Sequence, residues 1–389
     1  TIIPTDSENG AATGGTGTIT FKATDGVNQV QQVSTFSLSF GPDWSVAPTE
    51  SKLVASDPQV SDLFGFSVSI SSDGSYAIVG ANREDTGGTD AGAAYIFTRS
   101  GSTWTQQQKI TASDIEASDS FGNSVSISSD GSYAIVGAPQ EDTGASSAGA
   151  AYIFSRSGST WTQQQKIQAS DPEATDYFGV SVSISSDGSY AIIGAQYEDT
   201  GGSNTGSAYI FSRSGSTWTQ QQKIQTSDIQ AGDLFGYSVS INSDGTYAIV
   251  GAAYEDTGGS SAGAAYVFSR SGSTWTQQQK IQASDIQASD NFGISVSISS
   301  DGSYAIIGAH REDGAITDAG AAYIFSRSGS TWTQERKITA SDAQASDFFG
   351  FSVSISSDGS YAIVSAYGED GGAGDTITAA GAAYIYEAG

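Results

Sequence analysis

Six Glu-Asp pairs carry the densest chemistry in this sequence: Glu84-Asp85, Glu141-Asp142, Glu198-Asp199, Glu255-Asp256, Glu312-Asp313 and Glu369-Asp370. Each sits in a polar, Gly-rich stretch such as "NREDTGGTDAG". Adjacent carboxylates in a loop offer hard oxygen ligands, so the chemistry they suggest is binding of Ca2+ or another divalent cation, with Asp62 and its equivalents close by. The structural alternative gives Asp62 to backbone amides at the start of a strand and Asp57 to an Asx-type turn in the connector. Cys is absent, which excludes disulfides and thiolate metal sites. The single His, His310, occurs in one copy, at a variable loop position. No nucleophile-base pair, phosphate-cradling loop or His cluster is present. A carboxylate pair for glycoside hydrolysis is chemically available in so acidic a chain. A six-fold array is nevertheless a poor way to build one asymmetric active site, and the expectation is that the chain is not an enzyme.

The pairs recur because the sequence around them does. The Phe of an "FG" stands at Phe64, Phe121, Phe178, Phe235, Phe292 and Phe349, at one constant interval. A repeat of this length suits a four-stranded unit. In the first copy, "FSVSIS" alternates in the strand period. "SSDG" is a tight turn, and the apolar "SYAIVGA" is a second strand buried on both faces. The Glu-Asp loop follows, then a third strand, "AAYIF", a turn in "TRSGST", and a more polar fourth strand, "WTQQQKI". Its Gln and Lys residues suit an outermost edge that resists unwanted pairing. One small sheet cannot bury both faces, whereas stacking six around a ring can. The expected fold is all-β: a six-bladed β-propeller of four-stranded antiparallel blades, spanning residues 44–389, with repeats starting near 64, 121, 178, 235, 292 and 349.

The ends bear on closure. The sixth copy stops after "AAYIY" without a fourth strand, and "WSVAPTESKL" (Trp44 to Leu53) precedes the first FG as a spare one. Lys52 is in register with Lys109, while Trp44 is three residues out of register with Trp104. The expectation is that this N-terminal strand completes the last blade and closes the ring. Residues 1–43 read as a separate β-hairpin arm around Asp25-Gly26. Their "ATDG" and "FSLSF" resemble the last hairpin of a bacterial surface immunoglobulin-like domain; a plain arm or an irregular seventh blade are the alternatives. The chain lacks Met and so reads as part of a longer protein or assembly.

Phe64-Gly65, "AIVGA" at Ala77 to Ala81, "GAAYIF" at Gly92 to Phe97 and the full "GAP" at Gly137 to Pro139 make the repeat resemble the FG-GAP repeats of integrin α-subunit propellers and their bacterial relatives. The resemblance covers residues 44–389 and implies a propeller with an extracellular binding role. It departs from the family in having six copies where the integrin ring usually has seven. The family's calcium loop between strands one and two is here only "SSDG", and one Asp on a tight turn cannot supply the six to eight oxygens Ca2+ takes. The family's calcium site is therefore not carried over to Asp73, which reads as a turn former.

Strand direction places the Glu-Asp loops and the "SDxxASD" connectors on one face, the top. The hairpins "SSDG" and "SRSG" fall on the bottom, where Arg99 is expected to pair with Asp73. The copies differ mainly at the top. The pair before each Glu-Asp reads Asn82-Arg83, Pro139-Gln140, Gln196-Tyr197, Ala253-Tyr254, His310-Arg311 and Tyr367-Gly368. The residue after FG reads Phe66, Asn123, Val180, Tyr237, Ile294 and Phe351, and the residue before it Leu63, Ser120, Tyr177, Leu234, Asn291 and Phe348. Variation gathered on one rim of a shared scaffold is how loops build a binding surface. The candidate partner-binding residues are Asn82, Arg83, Gln140, Tyr197, Tyr254, His310, Arg311 and Tyr367. A net charge of −27 repels nucleic acid and anionic membranes, and no apolar run approaches the roughly 18 residues of a membrane span. The expected function is an adhesive, interaction or structural module on a cell or virion surface, with a protein or glycan ligand. The alternatives are a multivalent lectin using Tyr95-type and Trp104-type aromatics between blades and, less favoured, a glycan-active enzyme.

Overall fold

The computed structural model describes residues 15–24, 29–38, 51–228, 230–314, 316–370 and 379–388. Two compact units divide between Lys52 and Leu53. The first contains an antiparallel hairpin of β1 (Gly15–Thr24) and β2 (Gln29–Leu38), paired from Gly15 with Leu38 to Thr24 with Gln29.

The second unit is a six-bladed β-propeller. Its first blade is β3 (Ser67–Ile70), β4 (Tyr76–Ala81), β5 (Ala93–Ser100) and β6 (Thr103–Ile110), antiparallel and adjacent in that order. Blades two to five repeat this order with four strands each. Turn chemistry explains the first hairpin. Asp73 Oδ1 accepts hydrogen bonds from Ser71 Oγ (2.7 Å) and Ser75 N (2.9 Å), so the side chain holds the turn.

Strand one lies innermost in the blades, and from blade one to blade six each packs against strand one of the following blade. The serines of "SVSIS" tie these strands together: Val125 N donates to Ser67 Oγ (3.0 Å) and Ile127 N to Ser69 Oγ (3.2 Å). Between blades the core is apolar. Ile78, Ile96 and Ile110 of blade one pack against Phe121, Val125, Val136, Tyr152 and Trp161 of blade two. The Phe of FG is a core residue, edge-on to Tyr152 at 5.5 Å and to Phe154 at 6.1 Å. Its Gly permits close approach: at Gly122 (φ 91°) a Cβ would fall 2.3 Å from Ala93 O. The polar fourth strand has specific partners as well as an exposed edge. Trp161 N donates to Gln108 Oε1 (2.8 Å) and Gln108 Nε2 donates to Trp161 O (2.9 Å), and blades one to four each clasp the next in this way. In blade five Arg336 stands where that Gln would be.

The seam between the last and first blades is not a copy of the other five interfaces. Val125 and Ile127 are about nine-tenths buried or more, but their first-blade equivalents Val68 and Ile70 are 67% and 59% exposed. On the last blade, Ile363 is 44% and Ile385 50% exposed, where Ile78 and Ile96 are fully buried. One sequence edit accounts for part of this. At Gly137 a Cβ would fall 1.9 Å from Gly179 O of the next blade, and the equivalent residue in blade six is Ser365. A side chain there forbids the same close approach.

Blade six has three described strands, Phe349–Ile355, Tyr361–Ala366 and Ala382–Glu387. A cavity of about 790 Å³, lined among others by Tyr304, Ile324, Ile338 and Tyr386, lies where a strand-four Trp sits in blades two to five. Of the expected closing strand, Leu53 packs with Ala55, Phe64 and Trp104 on blade one, as Ile110 and Ala112 pack on blade two. Residues 44–50 of that strand lie outside the described residues.

Candidate functional site

The Glu-Asp pairs are split by the fold. Strand four carries Lys109 across the blade so that Nζ meets Glu84 Oε1 at 2.8 Å and Asp57 Oδ2 at 2.7 Å. Asp57 also accepts from Tyr95 Oη at 2.9 Å. Lys166, Lys223, Lys280 and Lys337 repeat the pairing with Glu141, Glu198, Glu255 and Glu312. The Asp of each pair turns outward instead. Asp85 accepts Asp90 N (2.9 Å), and Asp370 accepts Ala379 N (2.7 Å). The expectation that Glu84, Asp85 and their copies hold a divalent cation therefore meets a different geometry: in five blades an ammonium group supplies the positive charge. Among the described residues no group of three acids or imidazoles comes together as a metal-holding cluster.

Electrostatics follow this wiring. Burial pushes the Glu198 carboxyl up, but hydrogen bonds from Lys223, Ser207 and Thr200 outweigh it and leave it below its usual range. The Lys109 bond is the largest influence on Asp57 and lowers it. The acids at the repeat position of Asp62 make a different set of bonds. Gln59 N donates to Asp62 Oδ2 (2.7 Å), which matches the structural reading of that residue. Burial raises its equivalents Asp119, Asp176, Asp233 and Asp290 to about 6.

On the bottom face the expected Arg99–Asp73 ion pair is corrected. Arg99 Nε donates to Gly74 O (2.6 Å) and Nη2 to Asp73 O (3.1 Å), the backbone carbonyls of the turn. The Asp73 carboxylate is already taken by Ser71 and Ser75. The next arginine, Arg156, lies over the Tyr76 ring of the preceding blade at 4.3 Å.

The variable positions converge at the top mouth of the channel, where strand two ends and strand one begins. At two blade boundaries, one–two and five–six, the residue after strand two meets the residue after FG in the next blade. Asn82 Nδ2 donates to Asn123 Oδ1 (3.3 Å), and the His310 ring lies 5.8 Å from that of Phe351. Aromatic rings gather here. Tyr177 meets Tyr197 at 5.2 Å and Tyr237 meets Tyr254 at 6.4 Å. Tyr367 stacks on Phe348 at 4.9 Å and meets Phe351 edge-on at 4.7 Å. Burial raises the Tyr237 phenol, and the phenols of Tyr254, Tyr197 and Tyr367 lie near enough to add to that shift. Tyrosines from blades three, four and six thus share one neighbourhood.

The candidate partner residues fare differently within it. Tyr197, Tyr254 and Tyr367 are brought together, with Tyr254 and Tyr367 exposed and Tyr197 half-buried. His310 is buried between Phe348 and Phe351, and burial, with Arg311, lowers it to about 4, so the ring is neutral at physiological pH. Gln140 turns aside to accept from Ser120 Oγ at 2.8 Å. Arg83 and Arg311 are exposed at the rim. Tyr237, Gln196 and Phe351 join the site although only their variability marked them. Most aromatics of the lectin alternative are buried: Tyr95 is fully buried and Trp161, Trp218, Trp275 and Trp332 are within 3% of full burial, whereas Trp104 itself is only half-buried.

Comparison with known proteins agrees with this architecture. The FG-GAP repeat family model matches six times, at residues 48–97, 104–154, 161–211, 218–268, 275–325 and 332–386. No curated protein matches the chain. Among solved structures, the periplasmic gluconolactonase of Pseudomonas aeruginosa is similar at TM-score 0.55 and 14% identity, covering 91% of this chain and 89% of that one. A putative 6-phosphogluconolactonase from Bacteroides uniformis is similar at TM-score 0.54 and 12% identity, covering 89% and 88%. At such identity the likeness is one of fold. It corrects the expectation that the chain is not an enzyme, because proteins titled as lactonases share the propeller and the fold gives no ground for excluding catalysis. Six tandem matches across nearly the whole propeller place the chain in the FG-GAP repeat family.

Proposed function

We propose that this propeller is an interaction module of a larger extracellular protein, on a cell or virion surface, and that it engages a protein or glycan ligand through the variable top mouth. One observation carries the reading. Side chains that differ between otherwise near-identical blades lie near one another at the top, and they are aromatic there (Tyr197, Tyr237, Tyr254, Tyr367, Phe351). Tyrosine gives large contact area at low entropic cost, which suits recognition surfaces. The bottom face repeats its Arg-to-carbonyl and Asp-to-Ser bonds from blade to blade, which suits a structural end.

The test is retention of the labelled chain on arrays of extracellular proteins and glycans. A Tyr197→Ala, Tyr254→Ala, Tyr367→Ala variant should lose retention, while the bottom-face variant Arg213→Ala keeps it. Equal retention by both variants, or none by the parent chain, overturns the reading. A hydrolytic role at the same mouth is the second reading, favoured by the titles of the fold neighbours. Proton release on adding a sugar lactone, absent from the triple variant, would support it.

A further inference from the structure

The mouth holds buried polar atoms without partners, and they share one repeat position. Asn82 Oδ1, Gln196 Oε1 and His310 Nδ1 have no hydrogen-bond partner, although their residues are only 7%, 7% and 6% exposed. All three directly follow strand two, in blades one, three and five. Leaving a buried polar atom unpaired is costly, so three at one position call for a reason. Sterics alone do not supply it: blades two and four place Pro139 and Ala253 there, side chains with no polar atom.

Gln196 borders the tyrosines. Gln196 holds the repeat position of Asn82 and His310, and Tyr237 of the next blade holds the position of Asn123 and Phe351, which those two residues meet. Tyr237 in turn shares its surroundings with Tyr197, Tyr254 and Tyr367. The combination is an unpartnered amide oxygen in the neighbourhood of aromatic faces and phenol hydroxyls. Amide oxygen and nitrogen can exchange places by a flip of the group, so the fitting ligand must both donate and accept. Hydroxyl groups do both. Aromatic faces take the C–H side of a ring, and the chain's net charge of −27 disfavours an anion.

We propose that the top mouth is a single, asymmetric site for a neutral, hydroxyl-rich sugar ring, with Gln196 as polar anchor and Tyr237 and Tyr254 as stacking faces. This rests on the reading of the mouth as the binding face and names its ligand class. It differs from a lectin array, since the residues are unequal from blade to blade.

Saturation-transfer NMR tests it, with the whole chain and a panel of neutral methyl glycosides alongside uronic acids of the same ring size. Transfer to the ring C–H protons of at least one neutral glycoside is expected, with weaker or no transfer to the uronic acids. Gln196→Ala should weaken binding by about threefold to tenfold, the loss of one hydrogen bond. Tyr254→Ala, at an exposed and structurally undemanding position, should abolish the transfer. Silence across the neutral panel, or stronger binding of the uronic acids, overturns the ligand class. Silence together with array retention that the tyrosine triple variant loses would point to a protein ligand at the same mouth. Array retention insensitive to those tyrosines would instead remove the mouth reading itself.

Discussion

Replacing Lys223 by Met should destabilise the propeller by about 3 kcal/mol. The Glu198 side chain is 3% exposed, and Lys223 Nζ lies 2.7 Å from its Oε1. Removing the lysine strands a buried carboxylate, which costs about 3–5 kcal/mol in general. Ser207 Oγ (2.6 Å) and Gln225 Nε2 (3.2 Å) still donate to Glu198, which puts the loss at the lower end. Glu198→Gln is milder, about 1–2 kcal/mol, because Lys223 keeps Asp171 at 2.8 Å. The double variant should lose less than the sum, since the two residues share one interaction. The pH dependence carries a sign. The Glu198 carboxyl is held below its usual range, so its contribution is present above the unfolded carboxylate pKa and is lost as pH falls through the lower folded value. In Lys223→Met the carboxyl protonates more readily, so the gap to the parent chain should narrow in acid. Urea unfolding followed by Trp fluorescence, at neutral pH and near about pH 4, measures both effects. A variant as stable as the parent at neutral pH, or a gap that widens in acid, refutes the pairing.

Gly137→Ala should cost about 3 kcal/mol, as overpacking of a blade interface, because its Cβ would fall 1.9 Å from Gly179 O; a thermal melt equal to the parent's would contradict the close approach. Arg213→Ala should cost about 1–2 kcal/mol, since its guanidinium bonds Gly188 O at 2.6 Å and lies 4.3 Å over Tyr133; chemical denaturation reads this. Ca2+ titrated at a fixed high NaCl background should leave the melting temperature unchanged, because Lys already occupies the Glu carboxylates in five blades. A saturable rise of several degrees would restore the cation reading.

The blades were legible because their signals are local. Strand alternation, the Asp-Gly turn and the constant interval each act within a few residues, and together they order four strands correctly. The acid chemistry was not legible, because its partners are distant. Lys166 reaches Glu141 from 25 residues away and Asp114 from 52, across different strands. Likewise, the arginines were expected to seek the nearest carboxylate, but the Asp73 carboxylate was already satisfied by serine hydroxyls two residues to either side. The mouth was half legible. Variability singled out its three columns, but only the ring closes the distance between Tyr197, Tyr237, Tyr254 and Tyr367. Ser365, the one departure from Gly at that position, stood in the sequence as a mark of the unusual seam.

The most direct test of the central claim is a comparison of ligand retention between top and bottom variants under conditions where each is fully folded. The parent chain, the Tyr197, Tyr254, Tyr367 triple Ala variant and Arg213→Ala would be titrated, well below the lowest of their melting temperatures, on whichever array spot retains the parent. Retention falling at least tenfold for the top variant alone, or about 1.4 kcal/mol, is the predicted result. Retention lost through the bottom substitution and kept by the top one would contradict the account.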